Sequence, residues 1–228
     1  MSRTILSVVE PPTEGFRETL PERTKRIYDR LSVVYPVSTM LFHSRAHDEA
    51  LRMAGLHDGM RILEVATGSG EMFKRLVRLN RNGFTIGIDL SPRMAALTQE
   101  RARRRHPQAR VHCQAVDARF MPFRDKSFDA LICCYLLELL SQEDIVRTLA
   151  EFHRVLRLRG LLVLTMIGQN AELFNRAYEI CGRLAPAFWG RQVEESTPYY
   201  LEQAGFRVRA QKLVRQNFYP STILLATA

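Results

Sequence analysis

Two hydrophobic patterns alternate along this chain. Short, nearly continuous apolar runs occur at Arg61–Ala66, Phe84–Ile88, Arg110–Gln114, Asp129–Cys134 and Leu161–Met166. Between them lie stretches with apolar residues at helical spacing: Met72–Leu79, a segment opened by Ser91 and Pro92, and one opened by Ser141 with Ile145, Leu149, Phe152 and Leu156 in register. Continuous apolar strands separated by helices predict a parallel sheet covered on both faces. Right-handed crossovers then give an open, doubly wound α/β sheet. The end departs from this pattern. A helix over Thr197–Ala204 and the stop Gly205 precede two strands, Phe206–Val214 and Ser221–Thr227, with only a loop between them. No crossover helix fits there, so these two are expected to pair antiparallel.

At the other end, residues 1–20 carry Pro11, Pro12 and Gly15 and no periodicity, which predicts a flexible arm. Ile27, Leu31 and Val34 predict a helix over Pro21–Val34 that Pro36 ends. A second helix is expected over Ser44–Ala54, with Ser44 as its N-cap. The expected organisation is therefore an arm (1–20) and one domain (21–228). Within that domain, cap helices occupy 21–58 and an insertion over the substrate occupies 168–198.

Composition narrows the class. The 228 residues are 46% hydrophobic and 25% charged, ordinary for a globular protein. No apolar run approaches the roughly 18–20 residues that span a bilayer. The apolar stretch Ile5–Val9 is too short for a signal peptide, so the expectation is a cytoplasmic protein. Cys113, Cys133, Cys134 and Cys181 show no metal-binding spacing, so no metal is expected and the thiols are read as reduced. The net charge of +9 comes from 33 basic residues, of which 29 are Arg and 4 Lys. These arginines are scattered along the whole length, which fits a compositional bias better than a nucleic-acid stripe. The tightest cluster, Arg101 and Arg103–Arg105, suits the negative end of the helix that it closes.

The most informative segment is Ile62-Leu-Glu-Val-Ala-Thr-Gly-Ser-Gly-Glu-Met72. A buried strand runs into a loop with Gly68 and Gly70, and a helix follows at once. At the carboxyl edge of an open sheet such a loop brings backbone against a ligand. A dinucleotide fold asks for GxGxxG, but Phe73 stands at the third glycine, which counts against NAD or FAD. Glu64 inside the strand would repel a pyrophosphate and suits a cationic ligand. Asp89, 19 residues beyond Gly70, ends the second strand, where an acid accepts ribose hydroxyls. Asp117 follows the third strand, placed to accept from an exocyclic amine.

With Glu64-Val-Ala-Thr-Gly-Ser-Gly70, Gly87-Ile-Asp89, Asp117-Ala-Arg-Phe-Met-Pro-Phe123, Phe128-Asp129 and Arg154-Val-Leu-Arg-Leu-Arg-Gly160, the sequence resembles the class I S-adenosylmethionine-dependent methyltransferases. It looks closest to the quinone-biosynthesis C-methyltransferases and the phospholipid N-methyltransferases, through Tyr28-Asp-Arg-Leu-Ser-Val-Val-Tyr35 and His47. It departs from that subgroup at Pro36, Thr39 and Leu158-Arg159. The resemblance implies a seven-stranded Rossmann-like sheet whose last strand is antiparallel, inserted between the fifth and sixth. It also implies S-adenosyl-L-methionine as cofactor. Ala66, Thr67, Gly68 and Gly70 would bring backbone to its methionine and ribose parts, with Glu64 near the cationic end. Asp89 would bind the ribose, Leu90 and Met94 the adenine face, and Asp117 and Ala118 the adenine edge. Cys134 would offer a carbonyl to the amino group, and Tyr35 would close the site.

Methyl transfer from a sulfonium needs mainly alignment of nucleophile and methyl at roughly 3 Å. For a phenol or quinol acceptor a base would help, and His43, His47, Tyr178, Tyr199 and Tyr200 are available, with His47 and Tyr199 the candidates carried forward. Phe174, Tyr178, Phe188 and Trp189 in the insertion suit a lipophilic or planar acceptor. Arg23, Lys25, Arg26 and Arg30 beside Ile27, Leu31 and Val34 predict a peripheral membrane contact. The other classes compatible with the residues are an NAD-dependent oxidoreductase and a catalytically silent S-adenosylmethionine-binding protein.

Overall fold

Strands β1 (Arg61–Val65), β2 (Phe84–Asp89), β3 (Arg110–Ala115), β4 (Phe128–Cys134) and β5 (Leu156–Ile167) run parallel in one sheet. The structure is a computed structural model, and it describes residues 35–168, 193–216 and 220–228. Helix α1 (Tyr35–Ala54) precedes β1, α2 (Glu71–Leu79) joins β1 to β2, and α3 (Pro92–Arg105) joins β2 to β3. Helix α4 (Gln142–Val155) joins β4 to β5, and the short α5 (Thr197–Gln203) leads into β6 (Arg207–Val214) and β7 (Ser221–Thr227). The strand order is β3-β2-β1-β4-β5-β7-β6, with β7 antiparallel to both neighbours, as expected from the sequence. Chain direction across the sheet reverses at β1 and β4. Their carboxyl ends therefore diverge into the crevice where open α/β sheets bind ligands.

Alternation along β1 explains the two layers. Ile62 joins Met72 and Leu76 of α2 and Ala50 of α1 in one apolar cluster. Leu63 and Val65 join Ile145, Leu149 and Phe152 of α4 and Leu201 of α5 in the other. Each fully buried large side chain of this kind contributes roughly 1.5–3 kcal/mol. Serine caps begin two of the crossover helices. Ser91 Oγ accepts from Met94 N at 3.2 Å, and Ser141 Oγ accepts from Asp144 N at 3.1 Å.

Two boundaries differ from the sequence expectation. Helix α1 starts at Tyr35 rather than at Ser44, with Pro36 in its first turn, where a missing N–H has no partner to lose. Strand β5 begins at Leu156, not Leu161. Leu156 leaves the helical register to pair with Phe128, and the register shifts between Phe128 and Ala130. Arg159, at φ 61°, lies within that irregular stretch. The expected arm over 1–20, the helix over Pro21–Val34 and residues 169–192 of the insertion lie outside the described residues.

Candidate functional site

The loop after β1 is shaped by backbone geometry. Ala66 at φ 61° holds a left-handed conformation that costs a non-glycine residue roughly 1–3 kcal/mol. Gly70 at φ 78° needs its missing side chain for a second reason, because a Cβ there would lie 2.9 Å from Thr98 Oγ1. Gly87 is required from the neighbouring strand, since its Cβ would lie 2.7 Å from Thr67 Cγ2. Asp89 then anchors the loop. Its Oδ2 accepts from Gly68 N at 2.8 Å, and its Oδ1 accepts from Ser91 N at 2.9 Å. Arg101 belongs to the basic cluster, yet it reaches back to the loop, donating from Nη1 to Ser69 O at 2.9 Å.

Beside this loop is a cleft of about 340 Å³, open to solvent, between the ends of β1 and β4. Its walls bring together Glu64, Ala66, Thr67, Gly68 and Cys134, all singled out in the sequence, and His47 from α1. Four wall residues had not been singled out: Ser69, Glu71, Met72 and Tyr135. Tyr135 directly follows Cys134 and sits at φ 55°, a strained conformation beside the cleft like that of Ala66. The His47 and Tyr135 rings lie tilted at 51° to each other with centroids 6.3 Å apart.

Glu64 governs the electrostatics of the cleft. It is 2% exposed, and its Oε2 has no hydrogen-bond partner. Burial, and then the charge of Asp89, hold its carboxyl well above the usual carboxylate range. A cation beside Oε2 would relieve both effects. Cys134 is no thiolate: burial first and Glu64 second push it up to about 12.

The remaining predicted residues follow the sheet edge outward. Leu90 is partly exposed at the end of β2, and Met94 is buried in the first turn of α3. The backbone bond from Val116 N to Asp89 O, at 2.9 Å, draws the loop after β3 to the end of β2. In that loop Ala118 packs on the core, and Asp117 is gripped by Arg119 through Nε and Nη2 at 2.7–3.1 Å. Arg119 also donates to Asp144 Oδ1 at 2.9 Å. These contacts hold Asp117 below its usual value against the opposing effect of burial. Arg154 and Glu151 of α4 fasten the same loop, through Met121 O, Phe123 O and Met121 N at 2.7–2.9 Å. Tyr199, the other candidate base, stands 61% exposed on α5 and is not among the described residues that wall the cleft. His43, the Tyr35 side chain and Tyr178 lie outside the described set. No group of His, Cys, Asp and Glu among the described residues could hold a metal ion.

Comparison with known proteins shows what this arrangement is similar to. A family model described as a methyltransferase domain matches residues 62–160, which contain the loop, Asp89, Asp117 and β4. A 2-phytyl-1,4-naphtoquinone methyltransferase of Nostoc sp. strain PCC 7120 is 29% identical over 60% of this chain and 62% of its own. The ubiquinone/menaquinone biosynthesis C-methyltransferase UbiE of Cellvibrio japonicus is 24% identical over 80% of this chain and 75% of its own. Residues 62–160 thus match a methyltransferase domain, and the relatives and the fold support an S-adenosylmethionine-dependent methyltransferase. Magnesium protoporphyrin IX methyltransferase of Synechocystis PCC 6803, solved with bound SAH, shares the fold of this chain. Its TM-score is 0.62 at 16% identity, covering 96% of this chain and 89% of its own. The chain spans about three fifths of the length of the naphthoquinone relatives.

The cofactor of this class fits the site on the molecule's own chemistry. S-adenosyl-L-methionine carries a sulfonium and an ammonium, and the cleft offers a buried carboxyl oxygen that no donor among the described residues satisfies. Its methionine end needs close backbone approach, which the glycine loop provides. The third-glycine position is Phe73, a buried core residue on α2, so the close helix–strand packing of a dinucleotide site is not made here.

Proposed function

We propose that this chain transfers a methyl group from S-adenosyl-L-methionine to a small lipophilic or aromatic acceptor of the quinone or lipid class. The observation that carries the cofactor half is the unpartnered Oε2 of Glu64 in a cleft walled by the glycine loop. The acceptor half is supported by the quinone enzymes among the relatives and by the aromatic residues within 168–198.

When bound, the cofactor supplies a methyl group on a sulfonium, which leaves as a neutral thioether without taking a proton. The chain's own part is positioning. Asp89 holds the loop and the ribose, Asp117 and Ala118 meet the adenine edge, and Leu90 and Met94 lie toward its face. Glu64 and the Cys134 carbonyl face the charged methionine end, with Gly68 and Gly70 keeping the approach open. Tyr35, at the start of α1, closes the site, and His47 forms the wall nearest the N-terminal helices. Residues 21–58 and 168–198 flank the acceptor, within one domain over 21–228. The basic face over Arg23–Arg30 holds the protein against anionic membrane, where each nearby arginine contributes roughly 1 kcal/mol. Among the described residues no helix is long and apolar enough to cross a membrane. The proposed location is thus cytoplasmic and peripheral.

The test is calorimetry with S-adenosylhomocysteine, followed by transfer of labelled methyl to reduced naphthoquinones, phosphatidylethanolamine and small phenols. Binding with methylation of a naphthoquinol is the expected result. Methylation confined to hydrophilic amines or acids would sink the acceptor class, and tight NADH binding without S-adenosylhomocysteine binding would sink the cofactor.

A further inference from the structure

A second set of polar side chains gathers just beyond the cleft, at the carboxyl ends of β4 and β5 and the amino end of β7. Glu138 lies in the short helical turn Leu137–Leu139 and is 3% exposed. Its Oε1 accepts from Ile167 N, the last residue of β5, at 2.7 Å. Its Oε2 is buried and has no hydrogen-bond partner. Ile167 stands opposite Ser221, the first residue of β7. Ser221 Oγ is 2.8 Å from Tyr135 Oη and accepts from Gln216 Nε2 at 2.7 Å. Tyr135 is itself a cleft wall. A short chain of contacts therefore links Glu138 to the wall of the cofactor cleft, on the β5 side and away from the glycine loop.

We infer that Glu138 is the acid–base residue of the acceptor side, its free oxygen taking the proton that the acceptor loses on methylation. The inference rests on the proposed methyl transfer and adds the group that the sequence left unassigned. In the step, the acceptor's bond to hydrogen breaks and the proton passes to Oε2 of ionised Glu138. The released electron pair, directly or through the ring of a quinol, forms the new bond to the methyl carbon. The carbon–sulfur bond breaks with its electrons kept on sulfur, and Glu138 later returns the proton to solvent.

Three features favour this role over a structural one. A glutamine would satisfy Ile167 N equally well, so the hydrogen bond alone does not call for a carboxyl. No described Lys or Arg pairs with Glu138, and burial raises it to about 7, where a general base works near neutral pH. The groups around it cannot compete for the proton. Cys133 and Cys134 on β4 and Tyr135 just after it are kept neutral by burial, while β5 from Leu161 to Ile167 and all of β7 carry no titratable side chain. Glu194, which accepts from Thr222 Oγ1, is the other carboxyl packed at this end of β7.

The experiment uses the full chain with labelled S-adenosyl-L-methionine and a reduced 2-alkyl-1,4-naphthoquinone, with small phenols as further acceptors. Glu138→Gln is expected to lower kcat by about a hundredfold or more, with KM and S-adenosylhomocysteine affinity within threefold of wild type. The rising limb of kcat near pH 7 disappears in Glu138→Gln and is retained at reduced rate in Glu138→Asp. Infrared titration of the unloaded protein shows a carboxyl changing near pH 7 that Glu138→Gln removes. The inference is overturned if the Gln variant keeps kcat within threefold, keeps the limb, loses kcat and S-adenosylhomocysteine binding in parallel, or leaves the infrared titration unchanged. A wild-type protein that methylates none of the acceptors fails the proposed function itself, before any variant is compared, and this role falls with it.

Discussion

On the β1, β2 and β3 side of the crevice, acids are fixed by short-range partners. Asp89 takes two backbone N–H groups from its own neighbourhood, and Asp117 takes a guanidinium two residues along. On the β4, β5 and β7 side, Glu138 accepts from Ile167 N through Oε1, its Oε2 has no hydrogen-bond partner, and no described Lys or Arg pairs with it. The first arrangement holds its carboxylates in place by directed hydrogen bonds, and it keeps Asp117 below its usual value, as recognition of a nucleoside requires. The second leaves a carboxyl able to change its protonation, as proton transfer requires. Glu64 stands between them, buried like Glu138 but beside the glycine loop, and a bound cation would complete it.

The strongest way to break this contrast is Asp89→Ala. Two hydrogen bonds to a charged group are worth about 1.5–3 kcal/mol each, so the loss is about 4 kcal/mol of stability at neutral pH. Affinity for S-adenosylhomocysteine falls at least tenfold. Chemical denaturation and calorimetry measure the two effects separately. A variant that lost neither would show that the loop does not hang on Asp89.

Next in size is the pH dependence of stability in Glu138→Gln. Burial raises Glu138 from 4.5 to about 7, so the folded chain holds a proton that the unfolded chain has already released across that window. Wild-type stability therefore falls as pH rises from about 4.5 to 7 and stays reduced above it, by on the order of 3 kcal/mol. The Gln variant, which has no such proton, should gain relative to wild type over that interval and match it in acid. Melting curves at pH 4, 6 and 8 give the sign. An advantage that grew toward acid would contradict the burial of an unpaired carboxyl.

Smaller again is Gly70→Ala, at about 2 kcal/mol, from the left-handed backbone and the approach to Thr98. Adding Thr98→Ala should recover the steric part and leave the backbone part. Full recovery in the double variant would assign the whole cost to the clash.

The same contrast explains what could be seen in the sequence. The glycine loop, Asp89 and Asp117 each follow directly on an apolar run, so strand periodicity and local spacing placed them on one edge. Glu138 and Tyr135 gain their meaning from Ile167, 29 residues on, and Ser221, 86 residues on, which no local pattern reveals. Strand β5 looked short because Arg157 and Arg159 interrupt its apolar run, although Leu156 pairs with Phe128 beneath them. The start of α1 differs for a related reason: a proline that stops one helix can also open the next, and the choice depends on the chain around it. Arg119 carries no signal in the sequence, being one of 29 arginines, and its role shows only where its fork closes on Asp117.

That pair gives the smallest effect and the finest test. Arg119 holds Asp117 and Asp144 together at the adenine end, with its side chain about a quarter exposed. Solvent screening limits such a pair to well under about 1 kcal/mol, so Arg119→Ala should barely move the melting temperature at pH 7. Because Asp117 is held below its usual value, whatever it contributes is present above the unfolded carboxylate range and is lost as pH falls through the folded value. Wild type and Arg119→Ala should thus converge in acid. Removing the guanidinium also leaves Asp117 with more capacity to accept from the adenine amine, at the cost of a looser loop. The two changes oppose each other, so affinity for S-adenosylhomocysteine is expected to shift by less than threefold. A tenfold loss would make Arg119 part of adenine recognition, and the β3 side would then depend on its arginine as much as on its acids.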